Sequence, residues 1–354
     1  QKIKVFKNQL QKTLDRYFIV YNQFMVLDFS DLEKYDSKKM YEIYHHWPEM
    51  AESSYNSEII PIDHKDIDHI VFSGMGGSGA LGDIFQAILS KTNIHVSVVK
   101  GYHLPKTVDN NTLVVTTSVS GNTNETLRVL DLANKQESKI ISFSSGGKME
   151  KYCIKNNIEF QKIEKIHSPR TSFVNFLYSM LKSLESVTNV KNNDVLESIS
   201  FLKKQRTKIS FKNLNSDNQS IKLANWITSI PLIYYPWGLQ SAAIRFKNSL
   251  QENSKSHAIT EDIIESSHNG VVAWSNPSSI QPILLRGKDD FKKTIERWEI
   301  LKEFFQFYNI DHYEIMSVEG NIISKLINLI YLLDYTTIYK SILSQVDPSP
   351  VKPI

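Results

Sequence analysis

The feature that most constrains the fold is a run of glycines directly after a short apolar segment. The apolar residues stop at Ser73, four glycines lie within residues 74–79, and a helix-like pattern begins at Ala80. This order predicts a β-strand, a glycine-rich turn and then a helix. Because glycine lacks a Cβ, such a turn can approach a ligand closely. The free N–H groups at the start of the helix favour an anion, most often phosphate.

The same glycines also suggest a dinucleotide site. Gly74, Gly76 and Gly79 have the G-x-G-x-x-G spacing of such sites. A dinucleotide site further needs an acidic residue about twenty positions later, at the end of the second strand. The predicted second strand, over 94–99, is instead followed by Lys100. No Lys-Ser or Lys-Thr pair follows the glycines, so the pattern excludes a P-loop.

A second loop rich in hydroxyl side chains follows another predicted strand, over 113–117. It reads SVSGNTNET and precedes a helical pattern. Ser118, Ser120 and Thr123 can donate hydrogen bonds to phosphate oxygens, and Thr123 stands where the N-cap of the helix is expected. Each of these residues could be an ordinary turn or cap residue. Two such loops in one sheet favour a phosphate site over a dinucleotide site.

Short apolar segments alternate with longer helical patterns along most of the chain. This alternation predicts an α/β fold with doubly wound parallel sheets. The predicted strands cover 70–73, 94–99, 113–117, 140–143 and 158–163 in the first half, and 230–235, 283–285 and 312–316 in the second. The turn of the second half, over 235–240, has one glycine and a tryptophan, so we expect no phosphate site there.

The pattern also predicts the domain boundaries. Residues 1–24 form a basic N-terminal extension, and residues 25–187 contain a helical segment and the first sheet domain. A polar connector covers 188–217, with a helical part over 195–202, and the second sheet domain covers 218–354.

Composition limits the classes of partner. The 41 basic and 38 acidic residues are spread along the chain, so no concentrated basic face indicates nucleic acid. No uninterrupted apolar run approaches the roughly 18 residues of a membrane span. Cys153 is the only cysteine, which excludes an intramolecular disulfide and fits a reducing cytoplasm. These observations indicate a cytoplasmic protein whose partners are small molecules.

Six short segments stand in a characteristic order along the chain. They read SGMGGSG, TSVSGNTNETL, SPRTSF, ENSK, HNGVVAW and DPSPV. Together they resemble the ordered signatures of the bifunctional phosphoglucose/phosphomannose isomerase family, whose members contain two sugar isomerase (SIS) domains. The similarity extends from about Val26 to Ile354. The resemblance implies two SIS-type, flavodoxin-like sandwich domains.

The resemblance also implies a role for particular residues. The phosphate of the sugar would be held by Gly76, Gly77, Ser78, Ser118, Ser120 and Thr123. Arg170 would lie beside the reacting carbons, Glu252 would be the catalytic base, and His268 would assist ring opening. In several members the site is completed across a dimer interface, which implies a homodimer in which His268 acts in the neighbouring subunit. No metal and no nucleotide cofactor is implied.

The implied reaction converts glucose 6-phosphate, and also mannose 6-phosphate, to fructose 6-phosphate through an enediol intermediate. It is a step of carbohydrate metabolism shared by glycolysis and gluconeogenesis. A carboxylate must move a proton between C2 and C1, a histidine can help open the ring, and a cation can stabilise the developing oxyanion. The alternatives are a SIS protein that binds sugar phosphates without catalysis, and an NADP-dependent oxidoreductase. Apart from the resemblance, Glu252 and Lys255 would form an ordinary ion pair on a helix.

The chain departs from the family pattern at two places. Gly270 follows His268 and Asn269, where many members carry glutamate. Members are expected to carry an active-site lysine in a short tail after DPSPV, so that lysine is either missing from this sequence or replaced in part by Lys352. A threonine near the C-terminal helix is expected to influence mannose against glucose preference, with Thr336 and Thr337 as candidates.

Overall fold

Five parallel strands form the sheet of the first half. The computed structural model describes residues 25–351, so the predicted extension over 1–24 and Lys352 lie outside the described residues. The strands pair in the order β2-β1-β3-β4-β5. Their bounds are β1 His69–Ser73, β2 His95–Val99, β3 Thr112–Ser118, β4 Lys139–Ser144 and β5 Glu159–Lys162.

Four parallel strands form the sheet of the second half, in the order β7-β6-β8-β9. They are β6 Ile230–Tyr235, β7 Ile259–Asp262, β8 Ile280–Arg286 and β9 Tyr313–Met316. The prediction missed β7, because its sequence ITED holds a single apolar residue, with no second apolar residue at an alternate position. The orders β2-β1-β3-β4 and β7-β6-β8-β9 correspond strand for strand. The two sheets confirm the predicted α/β fold.

The helices of the first half precede the sheet, connect its strands and follow it. They are α1 Phe29–Tyr35, α2 Met40–His45, α3 Trp47–Tyr55, α4 Gly76–Leu89, α5 Asn124–Lys135, α6 Gly147–Lys155, α7 Phe173–Ser183 and α8 Glu185–Thr188. The helices of the second half are α9 Asn192–Ile209, α10 Gln219–Trp226, α11 Gln240–Ser249, α12 Ile263–Ser266, α13 Lys292–Phe307 and α14 Ile322–Leu343.

Alternate residues of each central strand enter different apolar clusters, as expected of sheets covered on both faces. In β1, Ile70 and Phe72 belong to the large central cluster and Val71 to a cluster on the opposite face. In β6, Ile233 belongs to the central cluster and Tyr234 to a third cluster. The central cluster therefore lies between the two sheets and joins the halves of the chain.

Helix α9 lies within the segment predicted as a connector. It has 18 residues, which is longer than the helical part predicted over 195–202. Val195, Ile199 and Leu202 are buried at helical spacing, and the helix packs against α14. Helix α14 is itself buried along nearly its whole length. None of the helices within residues 25–351 is long and apolar enough to cross a membrane.

Candidate functional site

Three hydroxyl side chains meet where β1 and β3 end. Ser118 Oγ lies 2.9 Å from Thr123 Oγ1, and Ser78 Oγ accepts a hydrogen bond from the backbone N–H of Val119 at 3.4 Å. Because β1 and β3 are parallel neighbours, the loops after their carboxyl ends lie at the same sheet edge. The structure thus brings together Ser78, Ser118 and Thr123. We call this group the hydroxyl cradle.

The loop after β1 enters its helix earlier than the sequence pattern indicated. Helix α4 begins at Gly76, not at Ala80, so the glycines form its first turn. A Cβ at Gly79 would lie 2.8 Å from the carbonyl oxygen of Gly74, so the helix packs on its own loop at a distance that only glycine allows. As the first residues of the helix, Gly76 and Gly77 have N–H groups without an acceptor inside it. These groups and the helix dipole favour an anion next to the cradle.

The loop after β3 is held rigidly. Gly121 has φ +67°, and a Cβ at this position would lie 1.7 Å from the carbonyl oxygen of Gly146. The backbone N–H of Met149 donates to the carbonyl of Gly121 at 2.9 Å. The loops after β3 and β4 are therefore locked together, which fixes the cradle before any ligand binds.

Thr123 and Ser120 have different surroundings within this loop. Thr123 is the N-cap of α5, yet its hydroxyl makes no capping hydrogen bond and instead faces Ser118. The exposed Ser120 accepts a hydrogen bond from the backbone N–H of Asn122 at 3.3 Å, as an ordinary turn residue does. Thr123 is therefore part of the cradle, whereas Ser120 lies at its rim.

A buried arginine and a carboxylate lie beside the glycine turn. Arg170 is only 4% exposed, and its Nε lies 3.2 Å from Glu252 Oε2. A Cβ at Gly77 would lie 3.4 Å from the carbonyl oxygen of Pro169, so the segment before Arg170 contacts the first turn of α4. The structure thus brings Arg170 and Glu252 together, next to the cradle.

Glu252 lies on an irregular turn. Helix α11 ends at Ser249 and continues as one π-helical turn, Leu250–Ser254, after which Lys255 adopts φ +56°. Turns of this kind are frequent at functional sites. Lys255 Nζ donates to the backbone carbonyl of Glu252 at 2.6 Å, and no ion pair joins their side chains among the described residues. The carboxylate of Glu252 thus faces Arg170, and burial, followed by the charge of Arg170, lowers the pKa of Lys255.

The C-terminal segment covers the guanidinium of Arg170. Nη1 donates to the carbonyl of Pro348 at 2.8 Å and Nη2 to the carbonyl of Ser349 at 2.9 Å. Nη1 also donates to the side-chain oxygen of Asn253. No role for these partners was predicted from the sequence: the ENSK segment pointed to its glutamate only, and the DPSPV segment, which contains Pro348 and Ser349, carried no assigned role.

A second buried arginine, Arg245, binds the backbone of Arg170. Arg245 Nη2 donates to the carbonyl of Arg170 at 2.9 Å and lies 2.6 Å from Asp334 Oδ2. Ser249 Oγ donates to the other oxygen of Asp334 at 2.9 Å. The Arg245 guanidinium also stacks on Phe173, with 3.8 Å from Cζ to the ring centroid. This network ties α14 to α11 and to the backbone of Arg170.

The two threonines of α14 have separate environments. Thr337 Oγ1 accepts a hydrogen bond from Asn253 Nδ2 at 2.7 Å, whereas Thr336 Oγ1 donates to the carbonyl of Leu332 within its own helix. Of the two candidates for sugar preference, only Thr337 contacts the turn that holds Glu252.

His268 lies apart from the other predicted site residues. It is exposed at the end of α12, and within residues 25–351 its side chain makes no hydrogen bond or ion pair. Within the described part of the chain, no hydrogen bond or ion pair joins it to Arg170 or Glu252. At the adjacent departure, the atom nearest to a Cβ on Gly270 would be the side-chain oxygen Glu261 Oε1, which a flexible side chain can move away, so the structure gives no steric reason for glycine there. The single chain therefore does not bring His268 to the Arg170 cluster.

Two observations concern dinucleotides and metal ions as ligands. Lys100, after β2, forms an ion pair with Asp83 of α4 at 2.6 Å, where a dinucleotide site would have an acidic residue for the ribose. Within residues 25–351, no group of three or more His, Cys, Asp or Glu side chains is arranged to hold a metal ion.

Comparisons with known proteins match both halves of the chain. Residues 65–188 match the SIS domain family, and residues 216–354 match the family described as bacterial phospho-glucose isomerase C-terminal SIS domain. A bifunctional phosphoglucose/phosphomannose isomerase of Caldicellulosiruptor bescii is 30% identical over 330 residues, covering 89% of this chain and 96% of the relative. One of Aquifex aeolicus is 30% identical over 325 residues, covering 89% and 97%.

Solved structures share the fold. A crystal structure of a hypothetical protein from Thermus thermophilus superposes with a TM-score of 0.70 at 14% identity. The match covers 95% of this chain and 92% of that chain. At this identity the likeness concerns the fold alone.

Proposed function

Because the chain belongs to the bifunctional phosphoglucose/phosphomannose isomerase family, we propose that it interconverts glucose 6-phosphate and mannose 6-phosphate with fructose 6-phosphate. It is an aldose–ketose isomerase built from two SIS domains. The observation that carries the proposal is the contact of Arg170 with Glu252 beside the hydroxyl cradle. A base and a fixed cation next to an anion site are what a proton transfer within a sugar phosphate requires.

The phosphate group is proposed to bind at the hydroxyl cradle. Ser78, Ser118 and Thr123 would donate hydroxyl hydrogen bonds, Gly76 and Gly77 would donate backbone N–H groups, and Ser120 would contact the phosphate from the rim. This anchor lies away from the reacting carbons, so its binding energy fixes the position of C1 and C2. The support is the meeting of two loops at one sheet edge, with a helix N-terminus aimed at it.

The isomerisation is proposed to proceed by proton transfer through Glu252. In the open-chain aldose, the carboxylate takes the proton from C2 while the C1 carbonyl oxygen becomes negatively charged, which gives an enediolate. The proton of the C2 hydroxyl moves to the C1 oxygen, the same carboxyl group returns its proton to C1, and the C2 oxygen becomes the ketone oxygen. Arg170 supplies a permanent positive charge to the enediolate oxygens, an interaction that is typically worth about 10²–10³ in rate.

His268 is proposed to act from the neighbouring subunit of a homodimer. Three apolar residues near it in the chain, Ile259, Ile264 and Val272, are all more than a third exposed. Ile259 belongs to the edge strand β7, and exposed apolar groups on a free sheet edge are typical of an interface. An imidazole there would move the proton that opens the sugar ring.

The metabolic setting follows from this reaction. Interconversion of these hexose 6-phosphates is a step shared by glycolysis and gluconeogenesis, and the proposed compartment is the cytoplasm. The single Cys153 is buried and free, as expected in a reducing environment. The alternative of binding without catalysis is not favoured, because relatives covered over nearly their whole length are named isomerases.

The decisive test of the base is the variant Glu252→Gln. It keeps the shape of the side chain but cannot take a proton, so we expect kcat to fall about 10³-fold or more. Binding of fructose 6-phosphate, measured by calorimetry, should persist because the cradle is unchanged. Full turnover in a coupled assay with this variant would contradict the proposal.

A second inactive variant, His268→Asn, tests whether each active site is shared between two subunits. Mixed dimers of the two variants contain one site with both intact residues if His268 acts across the interface. We therefore expect activity to return when the two proteins are unfolded together and refolded. A mixture that stays inactive, although it contains mixed dimers, would contradict action in the neighbouring subunit.

A further inference from the structure

The side chain of Asn253 is buried between the site and helix α14. It is fully inaccessible to solvent and follows Glu252 in the same π-helical turn. Its Oδ1 accepts a hydrogen bond from Arg170 Nη1, and its Nδ2 donates to Thr337 Oγ1 at 2.7 Å. One residue therefore connects the guanidinium of the site to the core of the second half.

The hydrogen-bond network fixes the orientation of the Asn253 amide. Thr337 Oγ1 donates to the backbone carbonyl of Asp334 at 2.7 Å, and a carbonyl can only accept. The threonine oxygen must therefore accept from Asn253, which requires the NH₂ group on that side. Arginine is a donor only, so it requires the amide oxygen on the other side. Both neighbours select the same orientation, and a flipped amide would lose both bonds.

The remaining hydrogen bonds of Arg170 show which edge of its guanidinium is left for Glu252 and the substrate. Asn253 and the carbonyl of Pro348 together use both protons of Nη1. On the other edge, Nε faces Glu252 and Nη2 gives one proton to the carbonyl of Ser349. Among the hydrogen bonds of residues 25–351, one proton of Nη2 has no acceptor. The edge formed by Nε and Nη2 is thus the one that can meet the carboxylate and a negatively charged substrate oxygen.

We propose that Asn253 is a positioning residue, which holds Arg170 with its Nε and Nη2 edge toward Glu252 and toward the enediolate. The inference rests on the proposed function of Arg170 and Glu252. The π-helical turn carries Glu252, and the side chain of the next residue, Asn253, holds Arg170. The distance between the carboxylate and the guanidinium is therefore set by two consecutive residues. A purely structural asparagine would stabilise the fold but would leave the rate of the folded enzyme unchanged.

The test is the variant Asn253→Asp, which has the same shape and places a carboxylate against Nη1. The new negative charge would offset the charge of Arg170, so kcat for fructose 6-phosphate should fall about 100-fold with little change in KM. Asn328→Asp is the matched control, because Asn328 is a buried asparagine of α14 outside the site. It should keep kcat within about threefold of the wild type even if its melting temperature falls.

Variants of Thr337 test the fixed amide while Arg170, Glu252 and Asn253 themselves stay unchanged. Thr337→Val removes the partner of Nδ2 and frees the amide to turn, so kcat should fall about tenfold. Thr337→Ser keeps the hydroxyl and should restore kcat to near the wild-type value. Values of kcat within about threefold of the wild type in both Asn253→Asp and Thr337→Val would overturn the inference.

A crystal structure of Asn253→Ala separates the inference from the proposed function. The guanidinium of Arg170 should rotate away from Glu252 in this variant. An unchanged guanidinium would overturn the positioning role whatever the activity. Absence of isomerase activity in the wild type would instead contradict the proposed function, while the rotation would still report on Asn253.

Discussion

The carboxyl edges of the two sheets hold equivalent places in the fold but have opposite chemistry. At the first edge, the loops after β1 and β3 present hydroxyl groups, with Ser118 and Thr123 in contact at 2.9 Å. At the second edge, the loop after β6 presents the exposed Trp237, and the loop after β8 presents Asp289 and Asp290. The first edge offers hydrogen-bond donors to an anion, whereas the second presents an indole and two carboxylates.

The carboxylates of the second edge already have partners in the protein. Asp289 forms an ion pair with Lys325, and Asp290 accepts a hydrogen bond from Trp298 Nε1 at 2.9 Å. Burial raises the pKa of Asp290. The comparison teaches that strand order decides where two loops meet, whereas the loop side chains decide what can bind there.

The largest difference between the two edges should be in the stability that is lost when a loop glycine is replaced by alanine. Gly121→Ala places a Cβ 1.7 Å from the carbonyl oxygen of Gly146 at a residue with φ +67°. We expect a loss of about 3–5 kcal/mol in the free energy of unfolding, from steric overlap and backbone strain. At the second edge, the nearest atom to a Cβ at Gly238 is Ile322 Cδ1 at 3.9 Å. Gly238→Ala should therefore change stability by about 0.5 kcal/mol or less.

Urea unfolding of both variants measures this difference. Equal losses of stability at Gly121 and Gly238 would show that the first edge is no more rigid than the second.

The next largest effect should be on substrate binding. Ser118→Asp places a carboxylate in the cradle, so KM for fructose 6-phosphate should rise at least about 100-fold by repulsion of the phosphate. Ser118→Ala removes the hydroxyl alone and should raise KM about tenfold. Asp289→Ser at the second edge should leave KM within about twofold.

Steady-state kinetics on folded protein, checked by circular dichroism, provide the measurement. A KM that responds equally to Ser118→Asp and Asp289→Ser would reject the cradle as the phosphate site.

The smallest effect is on the pH dependence of stability, at the amino-terminal ends of the central strands β1 and β6. β1 begins at the buried His69, which lies 3.0 Å from Ser97 Oγ and packs against the tilted ring of His95, whereas β6 begins at the exposed Ile230. Burial, followed by the charge of His95, lowers the pKa of His69. A lowered pKa means that the unfolded chain binds a proton more readily. The stability contributed by neutral His69 is therefore full above the unfolded pKa of about 6.5 and is lost as pH falls toward the folded pKa.

We expect the melting temperature to fall as the pH is lowered from about 6.5 to 5. The fall should be shallower in His69→Asn than in the wild type, and unchanged in His257→Asn, which alters an exposed histidine. The slope of the melting temperature against pH, measured by scanning calorimetry, tests whether His69 causes the acid sensitivity. Identical slopes in all three proteins would assign the acid sensitivity to other groups.

The central strands β1, β3, β4, β6 and β8 could be predicted because their residues are mostly buried on both faces. β1 and β3 were located to within one residue at each end, since a buried parallel strand reads as a continuous apolar run. β7 could not be, because its sequence ITED holds a single apolar residue. The start of α4 was misplaced by four residues, because glycine suggests a turn although here it forms the first turn of the helix.

By itself, the sequence determined the two-sheet fold, the family and the loop that carries the hydroxyl groups, because these depend on local periodicity and on short motifs. Only the tertiary structure decided that Arg170 faces Glu252, that Asn253 and Thr337 fix its orientation, and that the carbonyls of Pro348 and Ser349 cover it. These contacts join segments far apart in the chain, and several of them use backbone groups. A backbone carbonyl is the same in every residue, so no sequence pattern can indicate which one an arginine will meet.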